Sequence, residues 1–521
     1  MVFVCRKSPR LLHCFRFRSR YIVWLCMSQP RQQRMAGMMT PDRIVDLDAR
    51  QLSQCIRTRR ISCAEVMSAY LAQISRINPT VNAIVSIRPF EDLLANAAVR
   101  DRELDRGLWR GVLHGFPFAV KDLADVAGLP TTKGSPIFVG SIAERDSPFV
   151  AKLRAAGVVF IGKTNTPEFG LGSQTFNSVF GTTVNAYDQS RCAGGSSGGA
   201  AVALATRMVP LADGSDFMGS LRNPAAFNNV IGFRPSIGRV PEPGFMSNPS
   251  VVGPMGRTVH DAALLLSVIG GPNRHAPSSI AQDASEFARP LKPPDRRTRV
   301  GWIGDLDGYL PMEPGVLRLC GDALTKLEAA GCVVEVARPQ MPPELVWESF
   351  VAWRHLFVFE DLRHLYRDPR ARALLKPEAV WEITAGAQLT ASDIVRAHEQ
   401  RCRWFESVAT LLDSYDVLAA PSAQVFPFDA GLRWPAEVDG RPMDTYHRWM
   451  EVVAPWSLAN LPVLNVPAGF DARGLPMGLQ LIGRPYTDLD LLRLGAAYEQ
   501  ASGWTERVRP PLLDSTDASF T

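Results

Sequence analysis

From Thr40 onward, apolar residues recur at spacings that switch repeatedly between helix and strand. Ile44, Leu47, Leu52, Cys55 and Ile56 share one face of a short amphipathic helix. Ser62-Cys63-Ala64-Glu65 has the form of a capping box and opens a second helix, which Asn78-Pro79 is expected to stop near Ile77. A third runs from about Phe90 to Arg106. Gly115 to Val120 is then continuously apolar and ends on Lys121-Asp122, the pattern of a buried strand. Strand ends leading into loops are where α/β proteins place functional groups. Ser147 to Ala156 reads as a helix and Val158 to Gly162 as a strand, and a long Gly/Asn/Thr-rich loop follows from Gly170 to Asp188. Ala200 to Thr206 predicts an apolar helix and Met208 to Ala212 a strand. Val230 to Phe233 and a turn-rich stretch, Pro235 to Pro254, continue the core, and His260 to Ile269 is a buried helix.

The second half opens with Gly271 to Pro294, rich in Pro, Ser and Asp, which reads as a linker across the middle that need not separate domains. A strand (Arg299 to Ile303), a helix (about Gly315 to Ala330) and another strand (Cys332 to Ala337) come next. Two long helical segments rich in Trp, Phe and His, Pro343 to Tyr366 and Ser392 to Leu412, read as a cover over the substrate side, about 343–412. Strands return at Val417 to Ala420, Val463 to Val466 and Leu479 to Ile482, before a closing helix from Asp488 to Ser502. Helices and strands alternate with uneven spacing, so the pattern predicts an α/β fold, a single large domain with a mixed β-sheet core between layers of helices rather than a regular barrel.

Composition changes this picture at one end only. A content of 46% hydrophobic and 21% charged residues is that of an ordinary globular chain. Nine cysteines with no C-x-x-C pair argue against a disulfide framework or a zinc site and point to a reducing, cytoplasmic setting. Eight of the 57 Lys and Arg lie in residues 1–38, which carry no acid, leaving 49 basic against 52 acidic groups, a net of −3, in residues 39–521. That body has no electrostatic bias toward nucleic acid. The apolar run Tyr21 to Met27 in the basic extension is too short to span a membrane, and no small-residue cleavage site follows it. Met38-Met39 stands just before the folding pattern begins, so an over-extended start is preferred to a transit segment.

The candidate chemistry lies in two glycine-bracketed serine turns. Gly194-Gly195-Ser196-Ser197-Gly198-Gly199 leads straight into the apolar helix, and Gly214-Ser215-Asp216-Phe217-Met218-Gly219-Ser220 follows the next strand, which puts Ser196 and Ser220 24 residues apart. A flexible linker would be polar on both sides; this cluster has core on both sides, where glycine serves positive φ or close approach. Gly194-x-Ser196-x-Gly198 also fits a nucleophile elbow, but that motif needs a strand before it and Asn185 to Cys192 is a polar turn. No histidine sits in a motif, which leaves a Ser-His-Asp triad unsupported, and His114 reads as a packed side chain. Nothing has metal-ligand spacing or the form of a phosphate loop. Lys121 has Phe118, Val120 and Leu123 around it; its plain reading is a surface lysine at a strand end, whereas burial there would favour the neutral amine, a competent base.

Together the two serine turns and the segment Phe118-Ala119-Val120-Lys121-Asp122 resemble the amidase signature family, with the likeness running from about Thr40 to about Trp504. The resemblance implies a Ser–cis-Ser–Lys triad within core motifs at 115–240: Lys121 as base, Ser196 as the bridging residue in a cis peptide, and Ser220 as the nucleophile that carries the acyl group. It implies an oxyanion hole built from the backbone of Phe217, Met218, Gly219 and Ser220, and late strands that join the same sheet as the early ones. The family's usual Thr-Gly before the last Gly-Ser is Phe217-Met218 here, a departure that bears on pocket shape. Ser197 is expected to support the turn by hydrogen bonding, and Asp216 and Arg222 to brace it as a pair. Asp122 is expected to do the same for Lys121. Capping of the following helix is a structural alternative for Ser196. The implied activity is hydrolysis of a small or medium carboxamide to a carboxylate and ammonia or amine, without cofactor or metal. The implied partner is the small-molecule amide alone, neither nucleic acid nor membrane, with a homodimer left open. An aromatic-rich second half, including Trp347, Phe350, Trp353 and Phe357, hints at an apolar acyl or aryl group. Two other readings stand beside this one: one component of a glutamine-dependent amidotransferase, and a catalytically dead binding or scaffold protein.

Overall fold

The apolar runs assemble into two principal sheets in a computed structural model that describes residues 39–244 and 248–514. The basic extension, residues 1–38, lies outside the described residues; contacts set Pro41 onward apart as one unit. The smaller sheet holds β1 (Ile84–Val85), β2 (Pro117–Lys121) and β3 (Val159–Thr164) in the order β1-β3-β2. β2 runs parallel to β3, with Lys121 opposite Thr164. All of β2 is buried, as suits a parallel strand covered on both faces.

The larger sheet contains β4 (Ala212–Asp216), β5 (Ile231–Arg234), β6 (Val251–Gly256), β7 (Arg299–Trp302), β8 (Val333–Val336), β9 (Val417–Pro421), β10 (Val463–Phe470) and β11 (Pro476–Ile482). Their order is β8-β7-β9-β11-β10-β5-β6-β4. β7 is parallel to both β8 and β9, and the other neighbours are antiparallel. This is the mixed sheet expected of the α/β class. Because β10 pairs with β5, strands from both halves of the chain share one sheet. The stretch Gly271 to Pro294 is therefore no divider. Instead of a linker it carries a 3₁₀ turn, Ala284–Ala288, whose Ala284 and Phe287 are buried, with the Arg239 guanidinium 5.1 Å over the Phe287 ring.

Five helices position the site: α1 (Gly198–Ala205), α2 (Arg222–Phe227), α3 (Pro343–Arg367), α4 (Pro377–Gln388) and α5 (Ala391–Ser414). Every residue of α1 is buried. α3 packs against α4 and α5. Where α3 and α4 pack together, a Cβ on Gly386 would sit 2.4 Å from the His355 carbonyl oxygen, so only glycine fits. An apolar seam that includes Leu171, Val358, Leu362, Leu375 and Ile383 fastens this helical pair to the loop after Gly170. Among the described residues no helix is long and apolar enough to cross a membrane.

Local departures from the expected elements have local causes. The capping box at Ser62 is present, but its helix runs through Pro79 to Val81. Pro79 falls in the last turn, where its missing N–H forfeits only one backbone bond, and Asn78 Oδ1 then takes the N–H groups of Ala83 and Ile84. The first amphipathic pattern forms two helices, Pro41–Asp46 and Ala49–Arg57, because Asp48 caps the second. The strand expected at Met208 to Ala212 begins instead at Ala212: Pro210 has no N–H to give to a ladder. Gly214, Ser215 and Asp216 are thus strand residues rather than turn residues. β6 was hidden by Gly253, Pro254 and Gly256, which are poor strand formers.

Candidate active site

Lys121 is the last residue of β2, and its burial is enforced by the strand itself. Its Nζ lies 2.8 Å from Ser196 Oγ, 2.8 Å from Ser197 Oγ and 3.0 Å from Ser215 Oγ. Its backbone N–H donates to Asp213, at 3.1 Å from Oδ1 and 3.3 Å from Oδ2. Burial pulls the ammonium down to about 7, although Asp213 and Asp216 act in the opposite direction. The same burial pushes the Asp213 carboxyl up to about 6, against the Lys121 N–H and the nearby Lys163.

The glycine cluster brings Ser196 to that amine. The Gly195–Ser196 peptide is cis. Thr175 Oγ1 donates to the Gly194 carbonyl at 2.8 Å, the Gly198 N–H donates to Thr175 Oγ1 at 3.2 Å, and the Gly195 N–H donates to Asn223 Oδ1 at 3.1 Å. Ser196 does not cap α1. The helix begins at Gly198 with Ser197 in the cap position, and Ser197 makes no side-chain capping bond. Its hydroxyl serves Lys121 instead.

Ser220 sits in the turn between β4 and α2, and the two serine turns touch through the Ser197 N–H, which donates to the Ser220 carbonyl at 3.3 Å. The turn is clamped by Asp216. Its carboxylate accepts the Gly219 N–H at 2.8 Å, the Leu221 N–H at 3.2 Å, and Arg222 Nε and Nη2 at 2.9 and 2.8 Å. Arg222 in turn donates to the Val453 carbonyl, Gln480 Oε1 and Ser457 Oγ, at 2.9, 2.6 and 2.6 Å. Burial opposes the Asp216 charge, but Arg222 and Arg234 hold its carboxyl down at about 2. The expected pairing of Asp216 with Arg222 is therefore present. Removing one member of a buried, hydrogen-bonded ion pair strands the other charge, so Asp216→Ala is expected to destabilise the fold by about 3–5 kcal/mol. Denaturant unfolding measures this; a loss below about 1 kcal/mol would mean that the clamp does not hold the turn.

Two expectations need correction. Asp122 does not brace Lys121: its carboxylate faces Lys163 Nζ at 3.7 Å and accepts from Thr132 Oγ1 at 2.5 Å. The side chain after Lys121 points away along the strand, and Asp213 on β4 takes the supporting place. The Gly219 N–H, expected among the oxyanion donors, is donated to Asp216 Oδ1 at 2.8 Å. Gly219 itself has φ +79°, and a Cβ there would meet Val453 at 2.7 Å.

Lys121, Ser196, Ser215 and Ser220 line one wall of a cavity of about 540 Å³, and Arg354 and Phe357 of α3 line another. Five phenylalanines, Phe138, Phe149, Phe169, Phe217 and Phe357, give the cavity an aromatic lining. Phe217 stands edge-on to Phe350 and Phe357, with ring centroids 5.9 and 6.2 Å apart. The motifs in the sequence do not single out Ser215, Asp213 or Arg354. Strand alternation would have put Asp213 and Ser215 on one face of β4 had Pro210 been read as the block to an earlier start.

The chain matches the model of the family described as Amidase over residues 65–492. It is 34% identical over 480 residues to an acylamidase from Rhodococcus erythropolis, covering 90% of this chain and 98% of that protein. It is likewise 34% identical over 479 residues to a glutamyl-tRNA(Gln) amidotransferase subunit from Thermosynechococcus vestitus, covering 87% of this chain and 97% of the relative. In structure it is similar to a bacterial aryl acylamidase of the amidase signature enzymes, with a TM-score of 0.81, 28% identity, and coverage of 88% of this chain and 97% of that one. By sequence match and by fold, the chain belongs to the amidase signature family.

Proposed function

We propose that this chain hydrolyses the C–N bond of a carboxamide through a seryl acyl-enzyme, without a cofactor. The observation that carries the reading is the contact between the Lys121 amine, pulled down toward neutrality by burial, and Ser196 Oγ, on a loop hydrogen-bonded to the backbone of Ser220. Lys121 accepts the Ser196 proton as Ser196 accepts that of Ser220. Ser220 Oγ then bonds to the amide carbon, and the carbonyl electrons move onto oxygen. Backbone N–H groups of the turn, from Phe217, Met218 and Ser220, stabilise that oxyanion. As the oxyanion collapses the C–N bond breaks, and the relayed proton goes to the leaving nitrogen. Water, deprotonated by the same relay, cleaves the ester to give a carboxylate and the free Ser220 hydroxyl.

The aromatic lining of the cavity and the likeness to the acylamidase favour an amide with an apolar or aryl part. The amidotransferase reading keeps its own support, an equal identity over nearly the same length. Incubation of the purified chain with a fluorophosphonate probe, followed by peptide mass spectrometry, tests the nucleophile, and turnover of simple aryl amides tests the reaction. Modification of Ser220 and release of amine by the chain alone are expected. Labelling without amide turnover until a partner protein is added would favour the amidotransferase reading, and failure to label any serine would favour a binding protein.

A further inference from the structure

Arg354 is a buried cation that the hydrolytic reading leaves without a task. It projects from α3 into the cavity that holds Lys121, Ser196 and Ser220, with its side chain only 5% exposed. Nε donates to Glu382 Oε1 at 2.6 Å and Nη2 to the Tyr446 hydroxyl at 2.5 Å. The Tyr446 hydroxyl itself donates to Glu382 Oε1 at 2.7 Å. These three contacts close a ring along the Nε–Nη2 side of the guanidinium. Nη1 makes no hydrogen bond with any described residue, so the end-on edge of the fork, one N–H each from Nη1 and Nη2, is open. Glu382 Oε2 is engaged by His355 Nδ1 at 2.5 Å, which fixes the carboxylate and, through it, the arginine. The face of the guanidinium rests on Phe217, 5.3 Å from the ring centroid. Phe217 is one of the two residues that depart from the family's pattern, and it immediately follows Asp216 in the nucleophile turn. A planar fork held on one edge and stacked on an aromatic ring loses little freedom when a ligand takes the other edge.

We infer that Arg354, seated on Phe217, is a specificity-determining residue that binds a planar oxygen group, a carboxylate or the carbonyl of a second amide or ester, elsewhere on the amide substrate. The inference rests on the reading that Ser220 acts on an amide in this cavity. It predicts a preference for bifunctional amides over simple alkyl ones. Because Glu382 already balances the arginine, both an anion and a neutral carbonyl are accommodated, and the substrate series below tells them apart.

The experiment uses the full chain and three matched anilides whose acyl chains end in a carboxylate, a methyl ester or a methyl group. In the wild type, one or both oxygen-ended substrates are expected to exceed the methyl-ended one in kcat/KM by about 10- to 100-fold, the worth of hydrogen bonds to a charged group. Arg354→Lys keeps the charge beside Glu382 but loses the fork, and the double variant Arg354→Met, Glu382→Gln leaves no stranded charge. In both, that ratio should fall to near unity, mainly through KM. A wild type without preference, or a preference that survives in a folded variant, overturns the inference. Calorimetric binding of the same anilides to Ser220→Ala protein separates the two layers of the argument. Tighter binding of an oxygen-ended anilide, lost on adding Arg354→Lys, supports the role of Arg354 even if Ser220 proves not to be the nucleophile. Equal binding of all three overturns it even if Ser220 is confirmed.

Discussion

Ser220→Ala is expected to lower kcat/KM for any amide by about 10⁴-fold or more, the scale on which serine hydrolases lose activity with their nucleophile. The fold should be untouched. The Asp216 clamp that shapes the turn uses the backbone N–H groups of Gly219 and Leu221 and the Arg222 side chain, none of which the substitution alters. Ser196→Ala should cost less, about 10²- to 10⁴-fold, because it removes a proton relay for which water is a partial substitute. Rates of amine release from one aryl amide, with unfolding curves for each variant, decide the matter. Comparable activity in Ser220→Ala and wild type would remove the nucleophile assignment. An inactive Ser196→Ala beside an active Ser220→Ala would transfer it to the first turn.

The second large effect belongs to Lys121. With its ammonium pulled down to about 7, kcat/KM is expected to rise with pH through an apparent pKa near that value rather than near the ordinary lysine range. Arginine keeps its proton under these conditions, so Lys121→Arg should be nearly as inactive as Lys121→Ala. Substantial turnover by Lys121→Arg would show that the site needs a charge and not a base. The same shift has a cost in stability. The unfolded chain holds the lysine proton up to about 10.4, whereas the folded chain releases it above about 7. The penalty is therefore full below about pH 7 and fades as pH rises toward the unfolded value. Lys121→Met should accordingly gain stability over wild type at pH ~7, and the gain should shrink at pH ~9.5. Its upper bound is about 5 kcal/mol, less what the hydroxyls of Ser196, Ser197 and Ser215 lose with their common partner. A gain independent of pH would mean that the buried amine is not the source.

Where burial and chemistry coincide in short range, the chain was legible. Lys121 ends an unbroken apolar run, glycines bracket Ser196 on both sides and Gly219 directly precedes Ser220, and Asp216 and Arg222 stand six residues apart on either side of one turn. A capping box marked one helix start, at Ser62. What escaped depends on partners far along the chain. Asp122 and Asp213 are both acids near Lys121 in composition terms, and only the packing of β4 beside β2 decides that Asp213 supports it. Arg354 lies within a long amphipathic helix, and its own stretch carries nothing to separate it from surface arginines. Its meaning comes from Glu382 on α4 and Phe217 beyond β4. The Gly271 to Pro294 stretch shows the converse: its prolines and serines have the look of a tether, but Phe287 supplies an anchor that Arg239 covers, which no local pattern announces.

The reach of Arg222 has a bearing on how the molecule comes into being. Its acceptors at Val453, Ser457 and Gln480 are made more than 230 residues after it, and contacts of such separation form late and slowly. A nascent chain that ends between Ser220 and Val453 would already carry the lysine and both serines, yet it would lack all three groups that seat the arginine beneath the turn. On the proposed mechanism, competence is therefore expected only once these late groups have been made, with shorter fragments inert. In that mechanism the dry Lys121 activates the nucleophile, so the ordering would keep a half-made protein from reacting with the amides around it.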